Sequence, residues 1–390
     1  MIKTFHNLLI EDKKRKYKEK IYNYVTLSEE LSSEILRVNP NLVSEVSAGT
    51  VKREILEKEI IKLIDKKGIN IDRDIVIKEV FSYMFGYGIL QKYVEDEEIT
   101  DIDGSRYNYF TIKKDGKKYK ADISFGSEEE FDKFCKLIII RNGGIINEND
   151  SHSRISDENY RLRINVSIKP RNITGTSINI RKHKRKSYTL NELKNLKMID
   201  QDAQKLLEKF AKSNKRIIFS GKGAAGKTTL LRAYIKNIDK MERILFCESD
   251  AEIYPESENF ISQKIKKESF GGKRVTLKDL INDGLTMSLD GYCVGELIGE
   301  ETWDFLKAGY TDHKILATIH AISAKDTLYR LLMLVENTVS GLSEKTIKRI
   351  IANSIDIIVY LKEFKVKEII KINGYIVEKD EFDITYLLKC

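Results

Sequence analysis

Lysine 227 stands in a turn stripped of bulk. The stretch "FSGKGAAGKTT", Phe219 to Thr229, sets Gly221, Gly223 and Gly226 and two alanines around Lys227, after the apolar run "RIIF" and before "LLRAYI". Gly221, Gly226, Lys227 and Thr228 satisfy G-x-x-x-x-G-K-[ST], a pattern that binds phosphate when it lies between a strand and a helix. A loop that wraps phosphate turns its backbone N–H groups inward, and side chains would block that approach. The helix expected to start near Lys227 aims its positive end at the same anion. Lys227 is expected to reach β- and γ-phosphate oxygens, the Thr228 hydroxyl to ligate Mg²⁺, and Gly223 and Thr229 to complete the cradle.

A phosphate loop alone does not fix a function. Three other polar groups stand at the ends of apolar runs. Glu248 closes the strand-like "RILFCE", with Glu252 four residues on; Glu296 follows "GYCVG"; His320 follows "KILATI". Strand ends are where ligands sit in open α/β sheets. The chemistry they could supply is an acid to deprotonate water, an acid to hold Mg²⁺, and a donor to sense the terminal phosphate.

These groups need a scaffold. Past residue 200, short apolar runs alternate with helical patterns that open at good N-caps, Thr276 with Asp279 and Ser323 with Asp326. That alternation predicts a mainly parallel sheet covered on both faces. Upstream, Val51, Ile55, Leu56, Ile60, Leu63 and Ile64 fall near helical spacing before Gly68, a helix stop, and "KDGK" marks a turn between two strands. The expected organisation is a helical segment over 1–75, a smaller α/β domain over 76–182, a basic linker over 183–192 and a P-loop domain over 193–390. The strands after about 360 close the last domain.

The chain has 390 residues, of which 41% are hydrophobic and 33% charged, enough for more than one core under a densely charged surface. Its net charge of +8 is spread along the chain. Four cysteines without paired spacing predict reduced, buried thiols, and no run of eighteen apolar residues predicts a membrane span.

The ordered series "FSGKGAAGKTTLLRA", "ERILFCESDAEI", "VTLKDLINDGLTMSLDGYCVGELIGEE" and "HKILATIHAISAKDTLYRL" resembles the secretion and type IV pilus motor ATPases, relatives of PilT and GspE, and most closely their CpaF branch. The resemblance spans roughly 80–360. It implies a RecA-like P-loop domain after a PAS-like N-terminal α/β domain. It also implies ATP and Mg²⁺ as ligands, and a homo-hexameric ring on the cytoplasmic face of a membrane. That ring would drive secretion or pilus assembly through a membrane platform protein; DNA transfer and a scaffold with little turnover are the alternatives, and a nucleic acid partner is not favoured. It further implies Glu248 as the catalytic acid, Glu296 as the Walker B acid and metal group, His320 as the γ-phosphate histidine, and Arg154, Arg163 and Arg181 as arginines that reach the nucleotide. The chain departs from the family's usual pattern at Ser249, where aspartate follows the first glutamate, and at Ile298, where arginine stands. Ser288-Leu289 and Asp312-His313 differ too.

Overall fold

A computed structural model describes residues 27–47, 50–68, 72–183, 187–266 and 273–389. The extreme N-terminus, part of the basic linker (184–186) and Cys390 lie outside them. Contacts divide the chain into two units, Met1–Ile138 with Val166–Lys182, and Ile139–Asn165 with His183–Cys390.

The first unit begins with helices over 27–38, Pro40–Ser47, Arg53–Lys67 and Arg73–Phe85. In the third helix Leu56, Ile60 and Ile64, each four residues apart, are the buried face, and Gly68 ends it in the left-handed conformation at φ 62°. Ile55, expected on that face, is exposed. Asp72 accepts hydrogen bonds from the Asp74 and Ile75 amides and so starts a helix that runs across position 76. Its Val76, Val80, Phe81 and Met84 share one core with the preceding helices. Strands β1 (Ile99–Arg106), β2 (Tyr109–Lys114) and β3 (Lys117–Ala121) form a meander, with Asp115 and Gly116 at positive φ in the "KDGK" turn. The unit also receives the last residues of β5 (Leu162–Ser167), whose partner β4 (His152–Asp157) belongs to the second unit. β6 (Ser177–Lys182) pairs antiparallel with β1. Arg181 and Lys182, just before the expected linker, are strand residues, and Lys182 Nζ donates to the Tyr93 and Asp96 carbonyls at 2.9 and 2.5 Å.

The second unit holds the larger sheet. Its strands are β7 (Ile217–Gly221), β8 (Ile244–Glu248), β9 (Phe260–Lys264), β10 (Gly291–Val294), β11 (Lys314–Ile319), β12 (Ile357–Lys362), β13 (Lys365–Ile376) and β14 (Glu381–Lys389). They run in the order β14-β13-β12-β7-β11-β10-β8-β9. From β12 to β9 every pairing is parallel, and β13 and β14 add an antiparallel end. β7, β8, β10 and β11 are buried throughout, as strands covered on both faces must be. One apolar cluster covers each face, centred on Leu207, Leu231 and Phe246 and on Phe305, Leu331 and Ile351. β9 had no sequence signal. Cys135, Cys247 and Cys293 are free and buried, and no described helix is long and apolar enough to cross a membrane.

Candidate active site

The bare turn connects β7 to the helix Lys227–Ile235. Gly221, at φ 152°, has no room for a side chain, because a Cβ there would lie 2.3 Å from the Leu361 carbonyl oxygen of β12. Gly226 caps the helix at φ 94°, where a Cβ would lie 2.6 Å from Met198 Cε. Gly221 is therefore closed to other residues on conformation and on space, and Gly226 on conformation, with the flexible end of Met198 in the way of a side chain. Ala224 also takes a positive φ, 60°, so the loop holds a backbone shape that alanine rarely adopts. Lys227 is buried, and its Nζ donates to the Gly221 and Lys222 carbonyls at 3.1 and 3.2 Å. Burial lowers its pKa, against the charges of Glu296 and Glu252. Thr228 and Thr229 are half-buried on the first helical turn.

Glu248 is the last residue of β8 and is buried. Its Oε1 accepts from the Glu252 and Ile253 amides, both at 3.0 Å. Burial raises its pKa to about 7, against those two hydrogen bonds, which favour the carboxylate. Gly295, just past β10, makes space for it, since a Cβ there would approach Glu248 Cγ to 3.2 Å. Glu296 comes next and meets His320 at the end of β11, Oε1 to Nε2 at 2.6 Å. Thr318 fixes the separation of these two strand ends: its Oγ1 donates to the Gly295 carbonyl at 2.7 Å and its own carbonyl accepts from the Leu297 amide at 2.9 Å. His320 also borders the phosphate loop, with Cε1 3.5 Å from where a Cβ of Gly223 would stand. The strand ends thus bring Lys227, Glu248, Glu296 and His320 to one side of the sheet.

Arg154 on β4 and Arg163 on β5 point to the face opposite Ile155, Leu162 and Ile164, by the two-residue alternation of a strand. Both engage the loop after Glu248. Arg154 lies 2.6 Å from Asp250, and Arg163 lies 3.5 Å from Asp250 and 3.2 Å from Glu252. Arg181 stands in the first unit, exposed on β6 and in register with Asp101. Sequence reasoning missed Asp250 as an arginine partner; its only signal was a second acid in a strand-end loop. It also missed Glu301, a buried carboxylate that accepts from the Ile298 and Gly299 amides at 2.6 and 2.9 Å. Ser249 and Ile298, two of the departures, line one cavity of about 550 Å³ with Thr276 and Glu301.

Among the described residues no three His, Cys, Asp or Glu converge on a metal position. A hydroxyl (Thr228) and a carboxylate (Glu296) are hard oxygen donors of the kind Mg²⁺ takes one or two of, drawing its remaining ligands from phosphate and water. That donor set fits Mg²⁺.

The family model "Type II/IV secretion system protein" matches residues 147–362. A type IV secretion system protein VirB11 from Bartonella quintana is 30% identical over 177 residues, which is 44% of this chain and 50% of the relative. A putative conjugal transfer protein of Mycobacterium tuberculosis is 24% identical over 243 residues, 60% of this chain and 69% of the relative. The chain thus spans about half the length of the first VirB11 relatives it matches. Among solved structures, the pilus retraction motor PilT with bound ADP covers 78% of this chain and 83% of its own at 15% identity and a TM-score of 0.51, a likeness of fold.

Proposed function

Because the chain belongs to the Type II/IV secretion system protein family, we propose that it is a Mg²⁺-dependent ATPase that powers a secretion or pilus system. One observation carries this reading: Lys227 lies folded into the phosphate loop, His320 borders that loop and pairs with Glu296, and Glu248 packs against Gly295, the residue before Glu296.

In the proposed reaction Lys227 leaves the Gly221 and Lys222 carbonyls for β- and γ-phosphate oxygens. Water attacks the γ-phosphorus, the bond to the β–γ bridging oxygen breaks, and Glu248 takes the water's proton. A carboxyl whose pKa burial has raised to about 7 is a stronger base than an exposed one and is still ionised to a useful degree near neutrality. To act, it must turn part of its carboxylate from the Glu252 and Ile253 amides toward the water. The Thr228 hydroxyl and the Glu296 carboxylate would hold Mg²⁺, which supplies neutralisation of phosphate charge. His320 would donate to the terminal phosphate. Arg154 and Arg163, now held by Asp250 and Glu252, would add positive charge as the transition state forms, with Arg181 as a third.

We place this activity in a homo-hexameric, CpaF-like ring working peripherally at the cytoplasmic face with a membrane platform protein. The RecA-like domain over 193–390 would hold the nucleotide, with a PAS-like domain over 76–182, a helical segment over 1–75 and a linker over 183–192. The mycobacterial relative's description supports a second reading, a DNA-transfer ATPase of the same family. DNA stimulation that falls steeply with salt would favour that reading.

Phosphate release by the purified chain tests the proposal. Wild type should turn over ATP with Mg²⁺, Lys227→Ala should abolish turnover, and Glu296→Gln should lower it by about a hundredfold or more. Wild type no faster than Lys227→Ala overturns the enzyme and leaves a nucleotide-binding scaffold, to which the neutral pair Ser249 and Ile298 would be suited.

A further inference from the structure

The β12–β13 connection is a two-residue hairpin turn. Lys362 pairs with Lys365, so Glu363 and Phe364 are its central residues, and both take positive φ, 51° and 60°. Turns of this shape ordinarily use Asn-Gly, because a side chain is strained at positive φ. A phenylalanine held there is an outlier that asks for a use. The residue is also 54% exposed, the opposite of what a phenylalanine gains from folding.

The ring's position suggests the use. A Cβ on Gly226, the residue that caps the phosphate-loop helix, would lie 3.2 and 3.3 Å from Phe364 Cδ1 and Cε1 and 2.6 Å from Met198 Cε. The hairpin is anchored there on both sides. The Val366 amide donates to the Met198 carbonyl at 2.9 Å, and β12 runs parallel to β7, with Leu361 opposite Gly221. An exposed aromatic, backed by the buried Met198 side chain, therefore borders the phosphate cradle on a rigid support. A triphosphate seated in that cradle carries its nucleoside onto the surface next to the loop.

We propose that Phe364, with Met198 beside it, is the platform on which the nucleoside base of the bound nucleotide stacks. This rests on the reading of the loop as a nucleotide site. Stacking uses the π-face that every base has, so the platform holds a purine without reading its edge. Removing an aromatic stacked on one base costs affinity about five- to a hundredfold.

Calorimetric titration of the full chain with ATP, GTP and inorganic tripolyphosphate tests this. Phe364→Ala should weaken ATP and GTP by a similar factor in that range and leave tripolyphosphate within about twofold, while Phe364→Trp restores both nucleotides. Lys227→Ala should weaken all three. Phe364→Gly removes the ring and the strain together. It should lose nucleotide affinity at an unchanged or higher urea midpoint, which separates the effect from misfolding. ATP affinity that survives Phe364→Ala, or tripolyphosphate affinity that falls with it, overturns the platform alone. A wild-type chain that binds neither ATP nor tripolyphosphate overturns the phosphate site and the platform with it.

Discussion

His320 Nε2 lies 2.6 Å from Glu296 Oε1, so the histidine after β11 and the acid after β10 are partners. Each is accordingly held by a group that the proposed reaction asks it to leave. His320→Ala should lower the rate of phosphate release by about tenfold or more, and Glu296→Gln by about a hundredfold or more. Because the two touch, the double variant should be no worse than Glu296→Gln within about threefold. Fully multiplicative losses would mean that the pair does not act as a unit.

Glu248 gives a pH dependence whose sign follows from its environment. Burial raises its pKa from 4.5 to about 7, so the ionised base grows in across neutrality. Turnover at saturating ATP should rise from pH 6 to pH 8 and level off above, and Glu248→Gln should remove the rise and most of the rate. Stability should move the other way. Between the unfolded value near 4.5 and the folded value near 7 the folded chain binds the extra proton, so the carboxyl destabilises progressively as pH rises through that window. Urea unfolding of wild type against Glu248→Gln at pH 5 and pH 8 should show this as a loss larger in wild type by on the order of a few kcal/mol, the remaining loss in both proteins coming from groups such as Glu29, whose pKa burial also raises to about 7.

The arginine contacts predict a division of labour. Asp250 is 13% exposed and receives Arg154 at 2.6 Å and Arg163 at 3.5 Å. Asp250→Asn should cost stability by about 1 kcal/mol, modestly because both arginines are partly solvated. Arg154→Ala should leave that cost similar but lower turnover by about tenfold or more, if its charge is used on the nucleotide. Equal turnover in Arg154→Ala and wild type would confine the arginine to a structural pair.

What could be read from the chain alone is what local chemistry dictates. The bare turn between β7 and its helix was legible because Gly221 and Gly226 hold positive φ that side chains rarely adopt. The ends of β8 and β11 were legible because an unbroken buried strand stops where a charged or polar residue begins, at Glu248 and His320. Thr276 and Asp279 form the expected reciprocal cap, whereas Ser323 is met only halfway, since Asp326 turns to the Ile322 amide. The Arg154–Asp250 pair was not legible, because it joins residues 96 positions apart and no local pattern encodes it. The Phe364 turn was hidden for a different reason: it breaks the residue preference by which such turns are recognised. β9 is only partly buried, and its "FISQK" lacks the continuous apolar run of its neighbours.

Gly226 offers a test that separates loop shape from loop charge. At φ 94° and with Met198 Cε 2.6 Å from the position of a Cβ, Gly226→Ala must strain the backbone and displace the methionine together. The expected cost is about 1–3 kcal/mol, seen as a fall of several degrees in the unfolding midpoint. Lys227→Ala leaves the backbone free and removes a buried cation whose pKa is already lowered by burial, so its midpoint should change less. Both variants should lose tripolyphosphate binding, Gly226→Ala because the amides no longer converge and Lys227→Ala because the ammonium is gone. Calorimetry and thermal melting on the two proteins decide the matter, and tripolyphosphate binding retained by Gly226→Ala would contradict the account of the turn as a shaped cradle.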